Sequence, residues 1–276
     1  MTDDPCLTQT GMLRLLAIME RLRDPERGCP WDIEQDFASI APYTIEEAYE
    51  VADAIEREAW DELEGELGDL LLQVVYHAQM GREAGHFDFD SIAQKISDKM
   101  IARHPHIWGT ESRDKSAEDQ VADWEKVKAA ERAAKGEDRV LDGVALGLPA
   151  LTRAEKLTKR AARVGFDWPD ASQVLDKLQE EAAELIEARD HLTQAEVTEE
   201  LGDLLFVCAN LARKLGVDPE QALRAANAKF LRRFNAIEDV LQAQGRTPED
   251  AALAEMDALW TKAKIAEKVS DKKSQD

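Results

Sequence analysis

Glu46-Glu47-Ala48-Tyr49-Glu50, followed by Glu66-Leu67-Gly68-Asp69, recurs 134 residues later as Glu180-Glu181-Ala182-Ala183-Glu184, followed by Glu200-Leu201-Gly202-Asp203. Glu46, Glu47, Glu50, Glu66, Gly68 and Asp69 keep their residue type under that shift, and the two halves of each copy start 20 residues apart. A helical residue turns by about 100°, so Glu47 lies about 100° and Glu50 about 40° from Glu46, all within one quadrant. Asp53 and Glu187 continue the same face in their respective copies. Glu66 and Asp69 are about 60° apart on the helix that follows. A short connection makes such helices antiparallel neighbours, and four or five carboxylates then converge across each pair.

Converging carboxylates repel by about 1 kcal/mol per pair at ~4 Å in water, and by more where solvent is excluded. Protonation, basic partners or a bound cation must offset that. All-oxygen donors suit a hard divalent cation, Mg²⁺ with Mn²⁺ as a substitute. The expected metal set is Glu46, Glu47, Glu50, Glu66 and Asp69 in the first copy, and Glu180, Glu181, Glu184, Glu200 and Asp203 in the second. A lone acidic run in this chain would read equally well as a solvated helix face; an equally spaced duplicate does not. Mid-helix Gly68 and Gly202 each cost roughly 1 kcal/mol against alanine, which close approach of the neighbouring helix at the metal site would explain. Zinc is not expected, because His104 and His106 lie in a proline turn without a cysteine partner. His77, His86 and His191 are isolated and read as ordinary packing or surface residues.

Working outward, residues 12–23 have apolar side chains at a helical period. Asp24-Pro25 and Gly28-Cys29-Pro30 break it. Thr44 with Glu47 has capping-box spacing and predicts a helix to about 58. Further helices are predicted over 60–84, 90–103 and 116–134. After a glycine-rich stretch, the pattern predicts 149–163, 171–190, 194–214, 219–243 and 249–268. The repeat extends past the acidic motif. Lys99 and Arg103 align with Lys229 and Arg233 at an offset of 130, and Trp124 and Lys128 with Trp260 and Lys264 at 136. The expectation is an all-α chain of two tandem homologous helical-bundle domains: 1–134, a linker over 135–148, 149–268, and a frayed tail over 269–276.

The composition agrees. Charged residues are 33% and hydrophobic residues 44% of the 276, which favours a folded helical protein over disorder. A net charge of −22 disfavours partners such as duplex nucleic acid or an anionic membrane. No apolar stretch approaches the ~20 residues that span a bilayer. Cys6, Cys29 and Cys208 are odd in number and far apart, and no signal peptide is evident, so a reducing cytoplasmic location is expected.

These residues resemble the all-α nucleoside triphosphate pyrophosphohydrolases of the MazG type. The likeness includes Gly28-Cys29-Pro30-Trp31-Asp32, Ala41-Pro42-Tyr43-Thr44, Arg103-His104-Pro105-His106 and Val164-Gly165-Phe166-Asp167-Trp168, and covers about 12–266. It implies Mg²⁺-dependent hydrolysis of NTPs or dNTPs to the monophosphate and pyrophosphate, by a homodimer of helical bundles. It also implies that Lys229 and Arg233 contact phosphates and that Trp260 and Lys264 help hold the nucleotide, with Lys99, Arg103, Trp124 and Lys128 in corresponding places. For the tryptophans, core packing competes as an explanation; for Lys229 and Arg233, a basic solvated face does. Carboxylate-held cations would neutralise the triphosphate, and Glu181 or Glu200 would accept the proton of the attacking water. Related second domains can carry a lysine where this chain has Glu196. Gly65 and Glu199 also differ between the copies, and the second domain is the leading candidate for the main active site. There is no Walker-type phosphate loop. A nucleotide-binding regulator and a narrower enzyme, for dUTP or a phosphoribosyl nucleotide, are the competing readings.

Overall fold

The computed structural model describes residues 4–110, 112–114, 116–134, 136 and 139–273. All regular structure among them is helical. The helices are α1 (Pro5–Thr8), α2 (Gly11–Leu22), α3 (Pro30–Glu34), α4 (Phe37–Glu56), α5 (Trp60–Glu83), α6 (Phe89–Arg103), α7 (Pro105–Trp108), α8 (Ala117–Ala134), α9 (Ala150–Ala162), α10 (Ala171–His191), α11 (Gln194–Lys214), α12 (Pro219–Gln242) and α13 (Leu253–Lys273). The chain divides into two compact units, Met1–Val127 and Lys128–Asp276, with the division inside α8. Helix α13 runs to Lys273, past the expected end of the second domain at 268. Residues 274–276 of the expected tail lie outside those described.

Each unit is built on a helical hairpin, α4–α5 in the first and α10–α11 in the second. The start of α4 corrects the sequence expectation. Thr44 does not cap it; the helix begins eight residues earlier, at Phe37, where Asp36 and Ser39 form the capping box. Both spacings satisfy the capping rule. The earlier start also carries Ile40 into the core, where it is 2% exposed among Met19, Val75, Tyr76 and Met80. Burying such a side chain is worth roughly 1.5–3 kcal/mol, which offsets much of the cost of Pro42 inside the helix. The second unit buries Ala154, Val174, Ala188, Val207, Ala209, Ile237 and Leu241, small and branched residues where α9, α10, α11 and α12 pack on one another.

Long-range polar contacts hold the loops that precede each hairpin. In the first unit Arg23 donates to the carbonyls of Asp32 (2.5 Å) and Gln35 (3.1 Å) and pairs with Glu83 (2.7 Å). The Tyr76 hydroxyl donates to the same Asp32 carbonyl (2.9 Å). Gly28 is required in this loop, because a Cβ there would run into the carbonyls of Leu22 and Asp24. In the second unit the Asp167 carboxylate accepts from Arg213 (2.5 Å) and pairs with Lys214 (2.7 Å), and Lys214 also donates to the Trp168 carbonyl. Burial pushes the Asp167 carboxyl up, but the bonds from Arg213 and Lys214 outweigh it and hold it below its ordinary range.

Candidate functional site

The hairpins bring carboxylates together twice. Oxygens of Glu47, Glu66 and Asp69 lie within 4.8 Å of one another in the first unit, as do those of Glu181, Glu184 and Glu200 in the second. Each trio draws on both helices of its hairpin, as the spacing requires. Glu50 completes the first group, lying against both Glu47 and Glu66. Glu46 is exposed and outside the trio. Asp203 stands outside the second trio, close enough for its charge to act on Glu200.

The electrostatic strain is visible in the protonation equilibria. Burial, then the charges of Asp69 and Glu50, push the Glu47 carboxyl up. Burial, then Glu50 and Asp69, do the same to Glu66. In the second unit burial, then Glu184, Asp203 and Glu181, raise Glu200. Hard oxygen donors that are crowded and partly desolvated fit a divalent cation, and the arrangement can hold one in either unit.

Lys177 is the residue that reading the motif missed. Its ammonium lies 2.8 Å from Glu180 Oε1, 2.7 Å from Glu181 Oε1 and 3.9 Å from Glu184 Oε2. Glu181 itself is buried, its side chain 7% exposed, with Lys177 30% exposed above it. The signal was available as a lysine three and four residues before two metal-type glutamates, the spacing that places side chains together on a helix. Subtracting 134 from 177 gives Tyr43, so the first copy has no equivalent cation. Tyr43 instead meets Trp31 edge-on at 6.4 Å.

Glu196 is spent locally. It accepts from the backbone N–H and the hydroxyl of Thr193 and closes the capping box of α11. The expected close helix approach at Gly68 and Gly202 is not found among the described residues, because a Cβ at either position would meet none of them within 4 Å.

The expected nucleotide contacts group in pairs. Arg233 pairs with Glu267 (2.7 Å) and lies over the Trp260 ring at 5.4 Å, and Phe230 packs on that ring at 5.3 Å. Lys229 and Lys264 are exposed on α12 and α13. In the first unit Trp124 donates to the Arg103 carbonyl (3.0 Å) and meets His104 edge-on at 5.2 Å. Lys99 is exposed on α6, and Lys128 falls beyond the division between the units. Both tryptophans are half-buried, so each packs and also presents an edge. His77 is more engaged than the sequence suggested: its ring stacks on Phe37 at 5.8 Å and bonds the Thr44 hydroxyl at 3.1 Å.

Comparison with known proteins agrees with this geometry. Residues 35–108 match the model of the MazG nucleotide pyrophosphohydrolase domain, and residues 145–230 match that of phosphoribosyl-ATP pyrophosphohydrolase. The chain is 52% identical over 256 residues to the nucleoside triphosphate pyrophosphohydrolase of Escherichia coli K12, covering 92% of this chain and 97% of that one. It is 42% identical over 260 residues to the nucleoside triphosphate pyrophosphohydrolase/pyrophosphatase MazG of Thermotoga maritima, covering 94% and 98%. To the nucleoside triphosphate pyrophosphohydrolase of Mycobacterium tuberculosis it is 40% identical over 153 residues, 55% and 45% of the two chains. With two carboxylate-bearing hairpins and full-length likeness to those proteins, the chain belongs to the MazG family of nucleotide pyrophosphohydrolases.

Proposed function

We propose that this chain hydrolyses nucleoside and deoxynucleoside triphosphates between the α and β phosphates, releasing the monophosphate and pyrophosphate, with Mg²⁺ as the working cation and Mn²⁺ as a substitute. The observation that carries the reading is the pair of three-carboxylate clusters, each spanning a hairpin, in a chain whose full-length relatives are named nucleoside triphosphate pyrophosphohydrolases. Bound Mg²⁺ would supply charge neutralisation to the triphosphate and acidity to a water beside the α-phosphorus. Glu47, Glu66 and Asp69, or Glu181, Glu184 and Glu200, would hold it, with Glu46, Glu50, Glu180 and Asp203 at their edges. Glu181 or Glu200 would accept the proton of that water, and burial and neighbouring carboxylates raise the Glu200 carboxyl. Lys229 and Arg233 would receive the leaving pyrophosphate, and Trp260 with Lys264 would hold the nucleoside end.

The same reading makes the protein a cytoplasmic homodimer. Free Cys6, Cys29 and Cys208 support a reducing compartment. Exposed Leu67, Leu71 and Val74 on α5, and Leu201, Leu205 and Phe206 on α11, support a second copy as the partner that covers the hairpins. No described helix is long and apolar enough to cross a membrane.

Product analysis tests the reading. Wild type incubated with NTP and Mg²⁺ should yield NMP and pyrophosphate; NDP with orthophosphate refutes the proposal. Loss of turnover in Glu184→Ala alone assigns the chemistry to the second domain, whereas equal partial losses in Glu47→Ala and Glu184→Ala assign it to both. A narrower substrate has one observation in its favour, the match of residues 145–230 to the phosphoribosyl-ATP enzyme model. A panel of triphosphates and phosphoribosyl nucleotides separates the two, since a broad enzyme cleaves several bases at similar rates.

A further inference from the structure

The two clusters differ in what neutralises them. In the second, the Lys177 ammonium hydrogen-bonds Glu180, forms an ion pair with Glu181 and approaches Glu184. In the first, Tyr43 holds the matching place, three residues before Glu46 and four before Glu47. Among the described residues no basic side chain pairs with Glu47, Glu50, Glu66 or Asp69; the groups acting on Glu47 and Glu66 are carboxylates. One copy therefore supplies its own cation and the other does not.

We infer that Lys177 is a built-in competitor for the divalent cation, so that in the absence of nucleotide the first cluster takes up metal before the second. The inference rests on the reading of both clusters as divalent-cation sites. A cation entering between Glu181, Glu184 and Glu200 must share or displace an ammonium already held by charge-assisted bonds, which are stronger than neutral ones. The same cation entering between Glu47, Glu66 and Asp69 relieves repulsion and displaces no ammonium. Lys177 is a positioning residue in this scheme, because it sets how readily the carboxylates around it accept metal. A separation of at least about tenfold in dissociation constant is expected, the equivalent of roughly 1.4 kcal/mol.

Equilibrium binding of Mn²⁺ to the full-length, nucleotide-free protein, read from the free-ion paramagnetic signal, tests this without reference to turnover. Wild type should show a tight and a weak class of site. Glu66→Gln should remove the tight class. In that background Lys177→Met should strengthen the remaining class about tenfold, while Lys177→Arg, which keeps the charge, should leave it weak. The reverse exchange, Tyr43→Lys, places an ammonium at the same spacing in the first unit and should weaken the tight class. If the weak class is unmoved by Lys177→Met, or if Glu184→Gln and not Glu66→Gln removes the tight class, the inference is overturned and metal binding stands. Mn²⁺ binding at neither cluster overturns the metal reading and the inference together.

Discussion

Glu47 is half-buried on α4, with Asp69 across the hairpin and Glu50 one turn along. Burial and those charges raise its carboxyl, so its folded-state affinity for a proton exceeds its unfolded one. A group raised in this way favours the fold most when protonated, and that contribution is lost as pH rises through the raised value. Metal-free protein at neutral pH should therefore be stabilised by Glu47→Gln, by about 1–3 °C in melting temperature, the size of roughly 0.5–1 kcal/mol in a unit this large. Below about pH 4 the carboxyl is protonated in both states and the gain should vanish. Melting curves in chelator at the two pH values check this; an equal gain at both would remove the electrostatic explanation. Glu200→Gln should have the opposite practical effect, a loss of turnover of about 10²-fold or more, measured as pyrophosphate release. The trios were legible in the sequence because helical periodicity converts spacing directly into a shared face. Lys177 was not, because the motif was read for one sign of charge only, and a salt bridge within a helix leaves no mark on the repeat.

At the scale of the element, the hairpin turns differ more than the helices they join. The first unit passes from α4 to α5 through Arg57, Glu58 and Ala59, and Glu58 has φ +54°. A side chain in this left-handed region costs about 1 kcal/mol, and glycine adopts it freely. Glu58→Gly should stabilise the first unit by about 0.5–1 kcal/mol in denaturant melts; a loss would mean that the Glu58 side chain contributes a contact of its own. The second unit passes from α10 to α11 through Leu192 and Thr193 in extended backbone, with Glu196 closing the cap. Asp167 shows what sequence patterns conceal: its partners Arg213 and Lys214 lie 46 and 47 residues away, a distance at which no period or turn rule acts. Its carboxyl is depressed, so its contribution is present above about pH 4 and lost as pH falls through the depressed value. Asp167→Ala removes the carboxylate from two cations that are mostly buried and should cost about 2 kcal/mol at pH 7, with a smaller loss at pH 3. An unchanged denaturation midpoint at pH 7 would show that the Val164–Trp168 loop is held by something else. The start of α4 was misplaced for a related reason, since Thr44–Glu47 and Asp36–Ser39 both satisfy the local rule, and a tertiary quantity, the burial of Ile40, decided between them.

At the scale of the molecule, Gly68 and Gly202 stand out because the described residues give no reason for them. Each lies inside a long helix beside a carboxylate cluster, and each has open space where a Cβ would point. Glycine in a helix interior costs roughly 1 kcal/mol against alanine. Exposed apolar side chains flank both positions: Leu67 and Leu71 on one hairpin, Leu201 and Leu205 on the other. A helix of a second copy laid along either hairpin would bury that apolar stripe and approach the glycine closely, which accounts for both features through one contact. Gly202→Ala then has opposed effects. With nothing packed there, it raises stability by about 1 kcal/mol and leaves the mass in solution unchanged. In the homodimer proposed above, the added methyl meets the partner's backbone and weakens association by tenfold or more, a cost of about 1.4 kcal/mol. Light scattering across a dilution series distinguishes the two. The dimer reading expects dissociation to begin at least tenfold higher in concentration for the variant than for wild type. A monomer at every concentration in both proteins, together with a higher melting temperature in the variant, would leave Gly202 unexplained and the hairpin faces without the partner assigned to them.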